Sequence, residues 1–229
     1  ITYDGRWPAL VESALRATPQ FADADIVNFG LPSETVSGLS EEGHAGGQFP
    51  RPCLHDRLER VLAAFEPTLV LACYGMNDGI YLPADQARLK AFQDGILKLK
   101  SAAEKHGARI IFITPPLYRA DKSSDDPNHY DAVLDSYADW LVSRRASGPA
   151  VGQASRLSEG RPALGHQAPG PTGETPAPLS EQVVDIRPAL KQAVAQAKAA
   201  NAAFVYAGDG VHPGDDGHRF IAQAVCAGL

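Results

Sequence analysis

The sequence has no apolar run approaching the roughly 18–20 residues that a bilayer-spanning helix needs, so no transmembrane helix is expected. Lysine and arginine are nowhere clustered, and the formal net charge is −6. Phosphate backbones are bound by grouped cationic side chains, which argues against a nucleic-acid surface. Cysteine is scarce: Cys53, Cys73 and Cys226 are odd in number, and their spacing fits neither a zinc site nor a disulfide framework. Cys73 stands in an apolar run and reads as a small buried hydrophobe. No methionine opens the chain, which begins at Ile1. A leader peptide would lie upstream of that point, so secreted, periplasmic and cytoplasmic locations all stay open, as does the oligomeric state.

What is present suits a single α/β domain of 229 residues, 44% hydrophobic and 21% charged. Helical spacing of Trp7, Leu10, Val11, Ala14 and Leu15 predicts a helix over about 7–18. Ala24–Phe29 reads as a short strand ending in Gly30, followed by a loop over 31–52. Leu58, Val61, Leu62 and Phe65 mark a second helix. Thr68–Tyr74 is a continuous apolar run, the pattern of a strand buried on both faces. Phe92, Ile96, Leu99 and Ala103 predict a third helix, stopped at Gly107. Ala108–Thr114 is another buried strand, ended by Pro115 and Pro116. A fourth helix carries Tyr130, Val133, Leu134, Tyr137 and Leu141. Val183–Ile186 is a short strand, and Pro188 opens a helix running to about Ala200. Ala203–Tyr206 is read as a short extended piece, and Phe220, Ile221, Ala224 and Val225 form a closing helix. Strands alternating with helices predict βαβ units and a parallel sheet covered on both faces. Residues 147–181 break the rhythm. They hold no aromatic residue, and roughly a third of them are proline or glycine. They read as a disordered, low-complexity insertion; a lid is the alternative.

Chemistry-bearing residues follow the predicted strands, where reactive groups of parallel sheets collect. Asp209-Gly210-Val211-His212 sets a carboxylate three residues before an imidazole, a pair in which the acid can fix the base's tautomer. The plainer reading is a loop before a helix that Asp215 or Asp216 caps. His218 lies within that closing helix and reads as structural or surface. Tyr74-Gly75-Met76-Asn77-Asp78-Gly79 follows the second strand. Its Asn77 amide is placed to face a developing oxyanion, although such residues also make ordinary turns. Asn28-Phe29-Gly30 sits at another strand end, where glycine lets a backbone N–H approach a ligand. Ser33, His44, Arg51, His55, Pro115, Pro116 and Tyr118 are read as structural before substrate-binding.

Taken together and in this order, the three segments resemble the later blocks of the SGNH/GDSL hydrolase family. Asn28-Phe29-Gly30 with Thr35 is similar to its second block, Gly75-Met76-Asn77-Asp78 to its G-x-N-D block, and Asp209-Gly210-Val211-His212 to its D-x-x-H block. The resemblance implies a three-layer α/β/α sandwich with a flavodoxin-like parallel sheet in one domain over 1–229. It implies hydrolysis of carboxylic esters, carbohydrate deacetylation among them, without metal or organic cofactor. The substrate would be a small-molecule or carbohydrate ester. His212 would be the base, Asp209 its orienting acid, and Gly30 and Asn77 the oxyanion donors, with Gly75 and Asp78 in support. The family's first block is a Gly-Asp-Ser at the end of a central strand, often continuing Ile-Thr. This sequence begins Ile1-Thr2, so the nucleophile has no position in it, and the first strand is expected to be missing. Ser33 lies one block too late to replace that serine. The alternatives are a catalytically inactive carbohydrate-binding or scaffold domain, and an inactive gene fragment.

Overall fold

A computed structural model describes residues 6–120, 126–145 and 182–229. Three parallel strands, β1 (Leu69–Cys73), β2 (Arg109–Ile113) and β3 (Gln182–Val184), form a sheet in the order β1-β2-β3. The register runs from Leu69 opposite Arg109 to Cys73 opposite Ile113, and from Ile111 opposite Gln182 to Ile113 opposite Val184. Six α-helices surround it: α1 (Trp7–Arg16), α2 (Leu58–Phe65), α3 (Gln86–Lys105), α4 (Tyr130–Ser143), α5 (Arg187–Ala200) and α6 (Asp215–Gly228).

Period-two alternation along each strand sends neighbouring side chains to opposite faces, and the two faces make two cores. Ala72, Phe112 and Val183 join α2, α3 and α4 through Leu62, Phe92, Ile96, Leu134 and Tyr137. Leu71, Ile111, Ile113 and Val184 point the other way, onto α1, α5 and α6 through Val11, Leu190, Ile221 and Val225. Each fully buried side chain of this size contributes about 1.5–3 kcal/mol relative to exposure. Apolar side chains on both faces suit these strands, because helices pack on each face, although the first residues of β1 and β2, Leu69 and Arg109, stay exposed.

The expected strand at 24–29 is not a strand, and the expected extended piece at 203–206 begins in a turn. Residues 24–30 are extended but lie in no sheet, with Val27 55% exposed, and Phe204 closes a turn by donating its N–H to the Asn201 carbonyl. An apolar, β-prone segment becomes a strand only when a neighbour completes its ladder, and no such neighbour stands among the described residues. Helix α3 begins six residues before its first periodic apolar residue, Phe92. Its start is set by Asp85, whose side chain accepts the Arg88 N–H at 2.8 Å. The low-complexity segment 147–181 lies outside the described residues.

The carboxyl ends of the strands are organised by Arg187, buried at the start of α5. Its guanidinium meets Asp135 and Asp131 of α4, both at 2.8 Å, and donates to the Pro116 carbonyl at 2.8 Å. A buried cation needs this many partners to offset its lost hydration. The result clamps the loop after β2 against α4 and α5. Asp131 holds the same loop from the other side by accepting the Tyr118 N–H at 2.8 Å.

Candidate active site

The turn after β1 is built around one buried carboxylate. Asp78 accepts the N–H groups of Val36 and Ser37, each at 2.8 Å, through one oxygen and the Gly75 N–H at 2.9 Å through the other. Burial pushes its pKa above the ordinary range, against the pull of the Ser37, Gly75 and Val36 donors. Asp78 therefore fastens the second-block loop to the G-x-N-D turn. Gly75, at φ +125°, takes a backbone conformation that L side chains rarely adopt, and a Cβ there would meet Pro115 at 3.0 Å. Tyr130 closes the same turn, accepting the Gly79 N–H and donating to the Met76 carbonyl, both at 3.0 Å.

Asn77 projects from this braced turn. Its Nδ2 donates to the Glu34 carbonyl at 3.3 Å, and its Oδ1 accepts the Tyr81 hydroxyl at 2.9 Å. Glu34 is itself buried and held by the Arg57 guanidinium at 2.6 and 2.7 Å and the Tyr74 hydroxyl at 2.6 Å. Arg57 also donates to the Phe29 carbonyl at 2.8 Å, which ties residues 28–30 to the same network. The Gly30 N–H is engaged within its own segment, donating to Asn28 Oδ1 at 2.8 Å. Thr35 is bracketed by Pro52 and Leu54 in an isolated parallel bridge to Cys53.

The loop before α6 shapes the acid–base pair. Asp209 Oδ1 accepts the N–H groups of Val211 and His212, both at 2.8 Å, while Oδ2 meets His212 Nδ1 at 2.6 Å. Burial acts to raise the Asp209 pKa, but the His212 ring and those two N–H groups outweigh it and hold the carboxyl down at about 2. The Asp209 carboxylate on Nδ1 makes that nitrogen the N–H and leaves Nε2 as the basic one. Gly210, at φ +87°, is the one residue type that fits the turn between them, since a Cβ would lie 2.6 Å from Arg119 Cγ. The His212 side chain is 79% exposed.

Indirect contacts connect these segments. The Arg119 N–H donates to the Gly210 carbonyl at 2.7 Å, and neighbouring Tyr118 packs on Tyr81 with ring centroids 5.6 Å apart. Tyr81, which bonds Asn77, also feels the Asp209 charge, among the influences that, after burial, push its pKa up to about 12. Hydrogen bonds and ring contacts thus link the Asp209–His212 loop to Asn77 through Arg119, Tyr118 and Tyr81, and Asn77 to residues 28–30 through Glu34 and Arg57. Tyr81, Glu34, Arg57, Tyr130 and Arg187 were not legible as site residues from sequence. Glu34, Arg57, Tyr130 and Arg187 act through partners tens of positions away, and Tyr81, four residues after Asn77, is held by Arg51, Tyr118 and Asn128 from elsewhere in the chain. His218 packs inside the fold as expected: its Nε2 lies 2.6 Å from Arg6 Nη1, at the start of α1. A surface cleft of about 330 Å³ is lined by Ser40–Glu42 and Gly47–Pro50, away from all the candidate catalytic residues.

The sequence pattern of the GDSL-like lipase/acylhydrolase family matches residues 2–152. The chain belongs to that family. The match ends before Asp209 and His212, so those two rest on their own geometry. Solved structures agree on the fold. The acetylxylan esterase Axe2 of Geobacillus stearothermophilus is 20% identical over 97% of this chain and 80% of its own, with a TM-score of 0.56. LAE5, an alpha/beta hydrolase enzyme from the metagenome of Lake Arreo, Spain, is 17% identical over 98% and 81%, with a TM-score of 0.57. No curated protein matches the chain. Family membership and the α/β fold with its parallel sheet make the protein a relative of ester-cleaving enzymes.

Proposed function

We propose that the protein hydrolyses carboxylic esters of small molecules or carbohydrates through a serine–histidine–aspartate mechanism. The nucleophile in this reading is the serine of the family's Gly-Asp-Ser block, a motif that the 229 residues do not contain. The observation that carries this reading is the 2.6 Å contact of His212 Nδ1 with Asp209 Oδ2, in a loop linked to Asn77 by contacts through Arg119, Tyr118 and Tyr81.

In this mechanism the serine hydroxyl attacks the acyl carbonyl, and His212 Nε2 takes its proton. Negative charge moves onto the carbonyl oxygen and is met by the Asn77 amide and the Gly30 N–H, the latter exchanged from Asn28 Oδ1. Asp209 holds the imidazole ring and stabilises the imidazolium. Collapse of the tetrahedral species expels the alcohol, which receives the proton from His212. A water then repeats the sequence on the acyl-enzyme and releases the carboxylic acid. Acetylated carbohydrates are included because Axe2 is an acetylxylan esterase.

Hydrolysis of p-nitrophenyl acetate by the full-length protein tests the proposal. His212→Ala is expected to lower kcat by about 10⁴ or more, and Asn77→Ala by about 10²–10³. Unchanged rates in both variants sink it.

A further inference from the structure

An oxyanion donor is useful only if its N–H points the right way before the charge appears, and an asparagine amide is free to rotate about its last torsion unless something holds it. The two ends of the Asn77 amide are distinguishable here by chemistry. The Glu34 carbonyl only accepts, so the amide end that faces it at 3.3 Å is the nitrogen. The opposite end, 2.9 Å from the Tyr81 hydroxyl, is then the oxygen, and Tyr81 is the donor. One amide hydrogen is left without a partner among the described residues.

Tyr81 is itself held from several sides. Its ring packs against Tyr130 and Tyr118, with centroids 4.9 and 5.6 Å away, and the Arg51 guanidinium lies over it at 5.3 Å. Arg51 is fixed by two bonds to Glu41, both 2.6 Å. Asn128 Nδ2 donates to the Tyr81 carbonyl at 2.9 Å. The backbone takes an uncommon route to put the ring there: Ile80 and Tyr81 both have positive φ, +48° and +58°. For a β-branched residue such as Ile80 that conformation is an outlier, sustained only where the surroundings over-determine it. Burial keeps the phenol protonated through the neutral range, so it remains a donor.

We propose that Tyr81 is a positioning residue of this site: its hydroxyl pins Asn77 Oδ1 and thereby aims the free amide N–H at the oxygen that gains charge. The proposal rests on the oxyanion role given to Asn77 above. Arg51 and Glu41 act behind Tyr81 as its clamp and touch no reacting atom.

Tyr81→Phe keeps the ring packing and removes only the hydroxyl. In the ¹⁵N-labelled full-length protein, the Asn77 side-chain amide is identified by its disappearance in Asn77→Ala. Its order parameter is expected to fall in Tyr81→Phe from a rigid value of about 0.85 to below about 0.6. With p-nitrophenyl acetate, Tyr81→Phe is expected to lower kcat about 10- to 100-fold with KM unchanged, and to have no further effect in the Asn77→Ala background. An amide that stays rigid without the hydroxyl overturns the proposal, and so does an equal loss of kcat with and without Asn77. If Asn77→Ala alone leaves kcat unchanged, the oxyanion reading of Asn77 fails, whereas the order parameter still decides whether Tyr81 holds the amide.

Discussion

His212 presents its imidazole to solvent with a carboxylate on Nδ1 and no protein partner on Nε2 among the described residues. That exposure suits a base that must meet a substrate, and it places the burden of orientation on Asp209. Two backbone N–H groups and the ring share the carboxylate, so Asp209 is immobile although more than half exposed. Asp209→Asn keeps the size but puts an N–H₂ or a weaker acceptor against Nδ1. The expected outcome is a fall in kcat of about 10³–10⁴ with little change in Tm, read by ester hydrolysis and thermal melting of the full-length protein. The sign of the pH effect follows from the depressed Asp209 pKa. The contact's contribution is present above the ordinary carboxyl value of 3.8 and is lost as pH falls through about 2. The acid–base pair therefore keeps its ionised partner across the whole range in which a histidine can act.

At the scale of elements, the contact between α1 and α6 carries a histidine with a different task. His218 is buried on α6 beside Arg6, with the Trp7 N–H approaching Nδ1 at 3.4 Å. Burial first, then the Arg6 guanidinium, pushes its pKa below the ordinary 6.5, with Asp215 pulling the other way. A depressed histidine stabilises the fold while neutral. Its contribution is full above 6.5 and is lost as pH falls through the lower folded value, because the unfolded chain then binds the extra proton. Denaturation midpoints measured at about pH 5 and about pH 7.5 are expected to differ more for the native protein than for His218→Gln. Equal differences in the two proteins would assign the pH response elsewhere.

The elements also show what periodicity can and cannot convey. The 3.6-residue recurrence in α2 and α4, and the apolar runs of β1 and β2, are written locally and were legible. The segments at 24–29 and 203–206 are as apolar and β-prone as true strands, yet they join no ladder. Strand identity depends on a neighbour as well as on composition. The candidate site divides in the same way. Asp209 and His212 are close in sequence and could be paired from spacing. Glu34 and Arg57 reach their partners through the fold, and Tyr81, although only four residues from Asn77, is oriented by Arg51, Tyr118 and Asn128 from farther along the chain.

For the whole molecule, the sheet is short for the helices that cover it. Among the described residues strand β1 is an edge, with Leu69 38% exposed, and beside the nearby Phe29–Phe65 contact Phe65 remains 55% exposed. An unpaired parallel strand carries ladder groups and apolar surface that a further strand would cover. Residues 1–229 are accordingly expected to melt broadly by far-UV circular dichroism, because β1 leaves ladder groups unpaired among the described residues. A single sharp transition from the 229-residue chain would refute this.

The sequence by itself determined the α/β class, the apolar character of both faces of β1 and β2, and the Asp209–His212 contact, because each is encoded in the spacing of residues a few positions apart. Only the tertiary structure decided which apolar segments became strands, how the Asn77 amide is aimed, and which cation clamps the loop behind the site. Those outcomes depend on partners distant in the chain, whose meeting requires the core to be packed before any of them can form.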